Sequence, residues 1–92
     1  MEQMHPKDEP YETRLRRLRM RSWRRGMKEM DLILGRFADT ELANLDADAL
    51  DAHEHFMNQP DQVLYSWISG AAPVPDEFRP ALARILDNLS VR

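Results

Sequence analysis

Few side chains in this sequence could carry acid–base, metal or nucleophilic chemistry. It holds three histidines, His5, His53 and His55, and no cysteine, which excludes a disulfide framework, a cysteine-based metal site and a thiol nucleophile. His53 and His55 stand about 200° apart around a helix, so they cannot bind one metal ion together. Asp51 and His55 are spaced to share a helix face, but two ligands without a third are a weak signal. We therefore predict no catalytic residue and no metal site.

The same side chains have ordinary structural interpretations. We expect His53 to pack at the edge of a core and His55 to be solvated, with His5 in a terminal tail. Gly26, Gly35 and Gly70 stand singly rather than in a phosphate-binding run. We accordingly expect no cofactor to be bound stably by this chain.

The charged residues are segregated along the chain. Residues 14–28 hold eight basic side chains and no acidic one, whereas residues 29–78 hold eleven acidic side chains and one basic one; the net charge is only −3. Two interpretations stay open at this point. Either the two blocks neutralise one another across the fold, or the basic block is a binding surface.

A basic block of this kind could bind nucleic acid, with Trp23 stacking on a base. The sequence pI near 5.5 and the acidic block oppose this, and no zinc-finger, RNP or helix-turn-helix signature is present. The arginines also occur all around a helical wheel, which leaves too narrow an apolar face for a membrane-surface helix. A small nucleic-acid-binding or regulatory protein is kept as the alternative function.

The elements that must position these residues are predicted to be helices. Apolar residues recur at helical spacing, and no convincing two-residue alternation of β-branched residues occurs. The predicted fold class is all-α: a small five-helix bundle in one domain at residues 10–90, after an unstructured tail at residues 1–9. No run of 18 apolar residues and no apolar signal region is present, so we expect a cytoplasmic protein without a signal or transit peptide.

Each predicted helix has a start, an end and an inward stripe. The first helix is capped by Asp8 and ends near Gly26, and its inward-facing residues are Tyr11, Leu15, Leu18 and Ser22. The second is weakened late by Gly35, and its inward-facing residues are Met27, Met30, Ile33, Leu34 and Phe37. The third is capped by Asp46 or Asp48, and its inward-facing residues are Leu50, His53, Phe56 and Met57. The fourth runs from Pro60 and Asp61 to a stop at Gly70, and its inward-facing residues are Val63, Leu64, Trp67 and Ile68. The last starts near residues 76–79, and its inward-facing residues are Phe78, Leu82, Ile85, Leu86 and Leu89.

Docking on another protein is a further function that the residues indicate. Arginine and tryptophan dominate interface hot spots, and Arg21, Trp23, Arg24 and Arg25 cluster just before a glycine. A glycine lets a partner's backbone approach closely.

Two motifs carry a family resemblance. Arg25-Gly26-Met27-Lys28-Glu29, preceded by Arg24 and followed by Asp31, resembles the Arg-Gly-x-x-Glu motif of the SdhE-type flavinylation and assembly factors of succinate dehydrogenase. The family's second pattern, Pro-Asp-x-x-Leu-x-x-Trp, is present at residues 60–67. Phe37 and the acidic turn at residues 45–48 extend the similarity, which covers about residues 14–85. Residues 1–13 are longer than in bacterial members, and Gly35 departs from the pattern.

The resemblance implies the function of an assembly factor. Such a protein binds the flavoprotein subunit of succinate dehydrogenase, or of fumarate reductase as well, and promotes covalent attachment of FAD to a histidine of that partner. FAD then belongs to the partner, and the chain itself is not an enzyme but a monomer or weak dimer that clamps the flavoprotein. The implied partner-binding residues are Arg24, Arg25, Gly26, Met27, Glu29 and Asp31.

The motif residues also have structural roles that need no partner. A carboxylate in the first turn of a helix gains about 0.3–1 kcal/mol from the helix dipole, which predicts capping for Glu29 and Asp31. Gly26 would then simply break a helix. The resemblance instead assigns Gly26 a close backbone contact and Arg25 a charged hydrogen bond to the flavoprotein. Glu29 would either orient Arg25 or reach a polar group.

Overall fold

Five helix-forming stretches, separated by glycines, prolines and acidic caps, form the fold. The computed structural model describes residues 9–91, and within that range no strand is present. The helices are α1 (Tyr11–Ser22), α2 (Lys28–Glu41), α3 (Ala47–Met57), α4 (Asp61–Ile68) and α5 (Arg79–Val91). Short 3₁₀ segments at Leu42–Asn44 and Asp76–Phe78 lead into α3 and α5. The predicted all-α fold of five helices is confirmed.

Helix α1 differs from its prediction at both ends. Pro10, with ψ 147°, stands before the helix, which therefore begins at Tyr11; the predicted cap Asp8, like most of the predicted tail, lies outside the described residues. Tyr11 is exposed rather than inward, and its hydroxyl donates to the carbonyl of Ala43. The helix ends at Ser22, well before Gly26, where the chain turns toward α2.

The other helix boundaries follow the predicted local chemistry. Asp46, not Asp48, caps α3: its Oδ1 accepts the N–H of Ala49 over 2.8 Å. Pro60 precedes α4. Gly70 follows the C-cap residue Ser69 in the left-handed backbone conformation, with φ +84°, which is a common way for a helix to end. Pro80 is the second residue of α5, where a missing N–H costs no helical hydrogen bond.

The core is formed by one cluster of buried apolar side chains that every helix joins. Its fully buried members include Leu18, Met30, Leu34, Phe37, Leu42, Leu50, Phe56, Met57, Leu64 and Ile85. Val63 and Leu86 were predicted to face inward and are exposed. Each is adjacent to a buried residue, and neighbouring positions on a helix point about 100° apart, so the thin core accepts only one of the two.

Gly35 has a packing role that the sequence did not reveal. The indole of Trp23 lies against α2 at this position, so a Cβ on Gly35 would overlap Cδ2 and Cε2 of the ring and lie 2.6 Å from Cε3. The indole Nε1 donates to Asp39 Oδ1 over 3.3 Å. Gly35 is buried, and the helix continues through it to Glu41.

This contact predicts that the effect of Gly35→Ala on stability changes sign when Trp23 is also replaced. In the native protein the added methyl displaces the indole, and we expect the free energy of unfolding to fall by about 1–3 kcal/mol. In a Trp23→Ala background the same change only improves helix propensity and should raise stability by up to about 1 kcal/mol. Denaturant titration of the four proteins tests this, and an equal effect of Gly35→Ala in both backgrounds would contradict the packing role.

Candidate functional site

Residues 23–27, which we call the α1–α2 loop, hold the start of the first motif. Trp23 closes α1 by donating its backbone N–H to the carbonyl of Arg19, and Met27 precedes α2 in an extended conformation. Gly26 has φ +95°, which disfavours any residue with a Cβ, yet nothing lies within 4 Å of the position that a Cβ would take. The backbone conformation therefore favours glycine here, while the space beside it is open.

The side chain of Arg25 fastens this loop to the turn between α3 and α4. Its Nε donates to Asp61 Oδ1 over 2.7 Å, Nη1 to the carbonyl of Met57 over 2.6 Å, and Nη2 to the carbonyl of Gln59 over 3.0 Å. These carbonyls stand at the C-terminal end of α3, where helical acceptors lack partners, and Asp61 opens α4. One guanidinium thus joins the end of one helix to the start of the next, with its side chain only 10% exposed.

Asp31 holds the same loop from the other side. Its Oδ1 accepts the backbone N–H of Arg25 over 2.6 Å, and its own N–H donates to the carbonyl of Met27. Glu29 and Asp31 both lie in the first turn of α2, as predicted. Asp31 caps the loop through its side chain, so the α1–α2 loop is rigidly held on both sides of Arg25.

The six predicted partner-binding residues separate into two groups. Arg25 and Asp31 bond within the chain and Met27 packs against the core, so these three position the loop. Arg24, Gly26 and Glu29 are exposed, and neither charged side chain has a hydrogen bond or ion pair within residues 9–91. The side chain of Arg25 is oriented by Asp61 and two backbone carbonyls rather than by Glu29. Contact of any of the six with a partner stays a prediction.

The residues that orient Arg25 were missed as members of the site. Met57 and Gln59 act through backbone carbonyls, which side-chain patterns cannot indicate. Asp61 could have been found, because it is the aspartate of the second motif and Arg25 is the arginine of the first. The two motifs therefore form one structural unit.

The basic block is largely neutralised by acidic residues of the fold. On one face of α1, Arg14 bonds Asp51 and Glu54, and Arg17 bonds Glu9 and Glu54, with nitrogen–oxygen distances between 2.8 and 3.1 Å. Further along, Arg21 bonds Asn58 and lies 3.9 Å from Glu54, Arg19 lies 3.7 Å from Asp39, and Arg25 is paired as described. Five of the eight basic side chains thus have partners inside the chain, which favours the first interpretation of the charge pattern.

Glu54 is the centre of this network. Burial alone would raise its pKa, but hydrogen bonds from Arg17 and Arg14, and their positive charges, outweigh burial and hold the pKa of Glu54 below its ordinary value. A lowered carboxylate pKa contributes stability above the ordinary value, and this contribution is lost as the pH falls through the folded value.

His53 and His55 both pack on aromatic rings, and His5 lies outside the described residues. His53 is buried and stacks on Phe37 with ring centroids 4.7 Å apart, and neither ring nitrogen has a hydrogen-bond partner. Burial, with a smaller effect from the charge of Arg84, lowers the pKa of His53 to about 4. His55 is exposed, stacks on Phe78 and lies 3.1 Å from Glu77, whereas Asp51 accepts from Arg14, so the structure does not join Asp51 and His55 as ligands.

His53 predicts a loss of stability in mild acid. The unfolded chain takes up a proton near pH 6.5 and the folded chain only near pH 4, so stability is full above pH 6.5 and falls as the pH decreases between these values. Between pH 7 and pH 5 we expect the free energy of unfolding to fall by about 2 kcal/mol. This range lies above the titration of Glu54. His53→Leu removes the titrating group and should flatten the profile; parallel profiles for both proteins would contradict the assignment.

Within residues 9–91, no three side chains of metal-ligating type gather at one place. None of the helices in that range is long and apolar enough to cross a membrane.

The structure is that of a small helical domain with an exposed loop held by hydrogen bonds on both sides of Arg25, a preorganised surface of the kind that favours protein docking. Comparisons with known proteins give the family. The family model described as "Flavinator of succinate dehydrogenase" (Sdh5) matches residues 16–90. No solved structure gives a significant match.

Curated relatives come from a bacterium and from mitochondria. The chain is 32% identical over 80 residues to the FAD assembly factor SdhE of Acetobacter pasteurianus, which covers 86% of this chain and 73% of that protein. It is 36% identical over 81 residues to succinate dehydrogenase assembly factor 2-A of Drosophila yakuba, covering 86% of this chain and 50% of the relative. It is 35% identical over 74 residues to succinate dehydrogenase assembly factor 2 of Meyerozyma guilliermondii, covering 77% of this chain and 55% of the relative. The chain spans about half the length of these mitochondrial relatives.

This chain belongs to the Sdh5 family of succinate dehydrogenase flavinators. The resemblance drawn from the two motifs is confirmed.

Proposed function

We propose that this chain is an assembly factor that binds the flavoprotein subunit of succinate dehydrogenase and promotes covalent attachment of FAD to it. Family membership over residues 16–90 is the observation that carries the proposal. The rigid α1–α2 loop supports it, because a preformed loop binds a partner without an ordering cost. Arg24, Gly26 and Glu29 form the exposed part of the contact surface.

The proposed role is to position the partner. FAD and the histidine that becomes linked to it belong to the flavoprotein, and this chain binds no cofactor stably and is not itself an enzyme. Holding the flavoprotein's domains in one arrangement turns a loose encounter into an oriented one, for which several kcal/mol are available in principle. Fumarate reductase is a second proposed client, and the chain acts as a monomer or weak dimer in the cytoplasm.

The nucleic-acid alternative has little support in the structure. Five of the eight basic side chains that would bind phosphates already pair within the chain. Binding of nucleic acid through counterion release needs basic side chains that are free to contact phosphates.

Co-expression with the flavoprotein tests the proposal. Covalent flavin, seen as in-gel fluorescence after denaturing electrophoresis, should increase when this chain is present. Equal fluorescence with and without the chain would reject the function.

Glu29→Ala separates partner binding from capping. Glu12→Ala is the matched control, because Glu12 is an exposed acidic residue in the first turn of α1. Both changes should lower stability by at most about 1 kcal/mol. We expect only Glu29→Ala to reduce flavinylation; if both variants flavinylate the partner equally, capping is the whole role of Glu29.

A further inference from the structure

An open groove of about 680 Å³ runs along α1 beside the α1–α2 loop. Its walls include Arg16, Met20 and Arg24 from the first helix and its end, and Pro60 from the turn before α4. Arg25, which fixes the loop, also borders it. The groove is therefore continuous with the candidate site.

The groove carries unneutralised positive charge at two places. Arg17 and Arg25 line it with their guanidinium groups bonded to Glu54 and Asp61, and the guanidinium of Arg21 bonds Asn58 and lies 3.9 Å from Glu54. Arg16 and Arg24 are exposed and have no such partner within residues 9–91. Between them stands Met20, an apolar side chain that is 48% exposed.

The spacing of these three residues defines what fits. Arg24 lies two residues beyond α1, but Trp23 keeps a helical backbone conformation and the N–H of Arg24 donates to the carbonyl of Arg21. Arg16, Met20 and Arg24, each four positions apart, therefore follow one side of α1 and its closing turn, with the two arginine backbones roughly 12 Å apart at 1.5 Å per residue. An extended chain advances about 3.3 Å per residue and points alternate side chains to one side. Positions i, i+2 and i+4 of an extended segment therefore match the three.

We propose that this groove binds an extended segment of the flavoprotein in which two carboxylates, four positions apart, flank a central apolar residue. The carboxylates pair with Arg16 and Arg24, and the apolar side chain packs on Met20. The identity of the partner rests on the proposed function, whereas the chemistry of the segment rests on the groove alone.

A polyphosphate or nucleic acid fits this surface less well. Three neighbouring arginines of the groove, Arg17, Arg21 and Arg25, already bond Glu54, Asn58 and Asp61, and a continuous polyanion would have to displace these partners. An exposed methionine between two separated positive charges instead favours a ligand in which an apolar group stands between two negatively charged groups.

Charge reversal in the groove tests the proposal with the purified flavoprotein. The double variant Arg16→Glu and Arg24→Glu should raise the Kd for the flavoprotein at least about tenfold, because attraction becomes repulsion at both ends. The control is Arg36→Glu with Arg79→Glu, two exposed residues outside the groove that change the net charge equally. The control should keep the Kd within about twofold. Equal Kd values for the two double variants would overturn the proposal.

A peptide arm tests the groove without the flavoprotein. The probe is the blocked peptide Gly-Ser-Glu-Thr-Leu-Thr-Glu-Ser-Gly, and its match has glutamine at both glutamates. We expect the glutamate peptide to shift the NMR methyl signal of Met20 and the guanidinium signals of Arg16 and Arg24, and the glutamine peptide to cause smaller shifts. Equal shifts by both peptides would overturn the proposed recognition.

The two arms fail in different ways. If the native chain does not bind the flavoprotein but the glutamate peptide still shifts Met20, the proposed function is wrong and the groove's chemistry stands. If the flavoprotein binds and neither peptide nor charge reversal has an effect, the groove proposal alone is wrong. Tighter binding of a single-stranded oligonucleotide than of the glutamate peptide would assign the groove to nucleic acid instead.

Discussion

Replacing Arg25 with alanine should lower the free energy of unfolding by about 3 kcal/mol, because a partly buried carboxylate and two carbonyls lose a charged hydrogen-bond donor. The change leaves the carboxylate of Asp61 and the carbonyls of Met57 and Gln59 without their donor in a site where the arginine side chain is 10% exposed. Since a domain of this size has only about 5–15 kcal/mol of stability, abundance and flavinylation should fall together. Chemical denaturation of the purified protein measures the first effect.

Arg24→Ala is the matched control for the stability of Arg25→Ala. Arg24 is the neighbouring arginine, exposed and without a partner in the described part of the chain, so its removal should change stability by less than about 0.5 kcal/mol. Arg25→Lys keeps the charge but cannot reproduce three donors in one plane, and should fall between the two. If Arg25→Ala and Arg24→Ala are equally stable, Arg25 does not fasten the loop.

Gly26→Arg should abolish covalent flavinylation of the partner, and Gly26→Ala should not. Both variants force a side chain into φ +95° and share a cost of about 1–3 kcal/mol. Only arginine adds bulk to the open space beside the loop, where nothing lies within 4 Å of the Cβ position. Flavin fluorescence of the partner, compared at equal amounts of folded variant, separates bulk from strain.

The alanine variant also shows how Gly26 could fail as an interface residue. Equal loss of flavinylation in both variants would trace the effect to loop strain. Full activity of both would remove Gly26 from the contact surface.

Local chemistry is what the sequence predicts well here. The Asp46 cap, the stop at Gly70 and the start of α5 follow from single residues and their neighbours. The end of α1 was misplaced because tertiary packing decides it. The indole of Trp23, the residue directly after α1, lies on Gly35, twelve positions further along the chain.

For the candidate site too, local sequence patterns predicted one part and tertiary packing decided the other. Its residues were found through two motifs, and the family resemblance gave Arg25 a bond to a partner, which stays a prediction; the bond to Asp61 within the chain was not predicted. A charged residue before a glycine has the same sequence signature whether its partner is another protein or another helix. Only the fold distinguishes them, because the distance between α1 and the α3–α4 turn is not encoded by any local pattern.

The hydrogen bonds of the Arg25 side chain also couple the α1–α2 loop to global folding. Its three side-chain bonds span 32 to 36 positions, so the loop acquires its shape only when α3 and α4 are in place. The amide proton of Arg25, bound to Asp31, should then exchange with solvent as slowly as those of the core and open in the same cooperative unit. A molecule that has lost its fold has no contact surface left to display, so under the proposed function the flavoprotein would bind only folded copies of this chain.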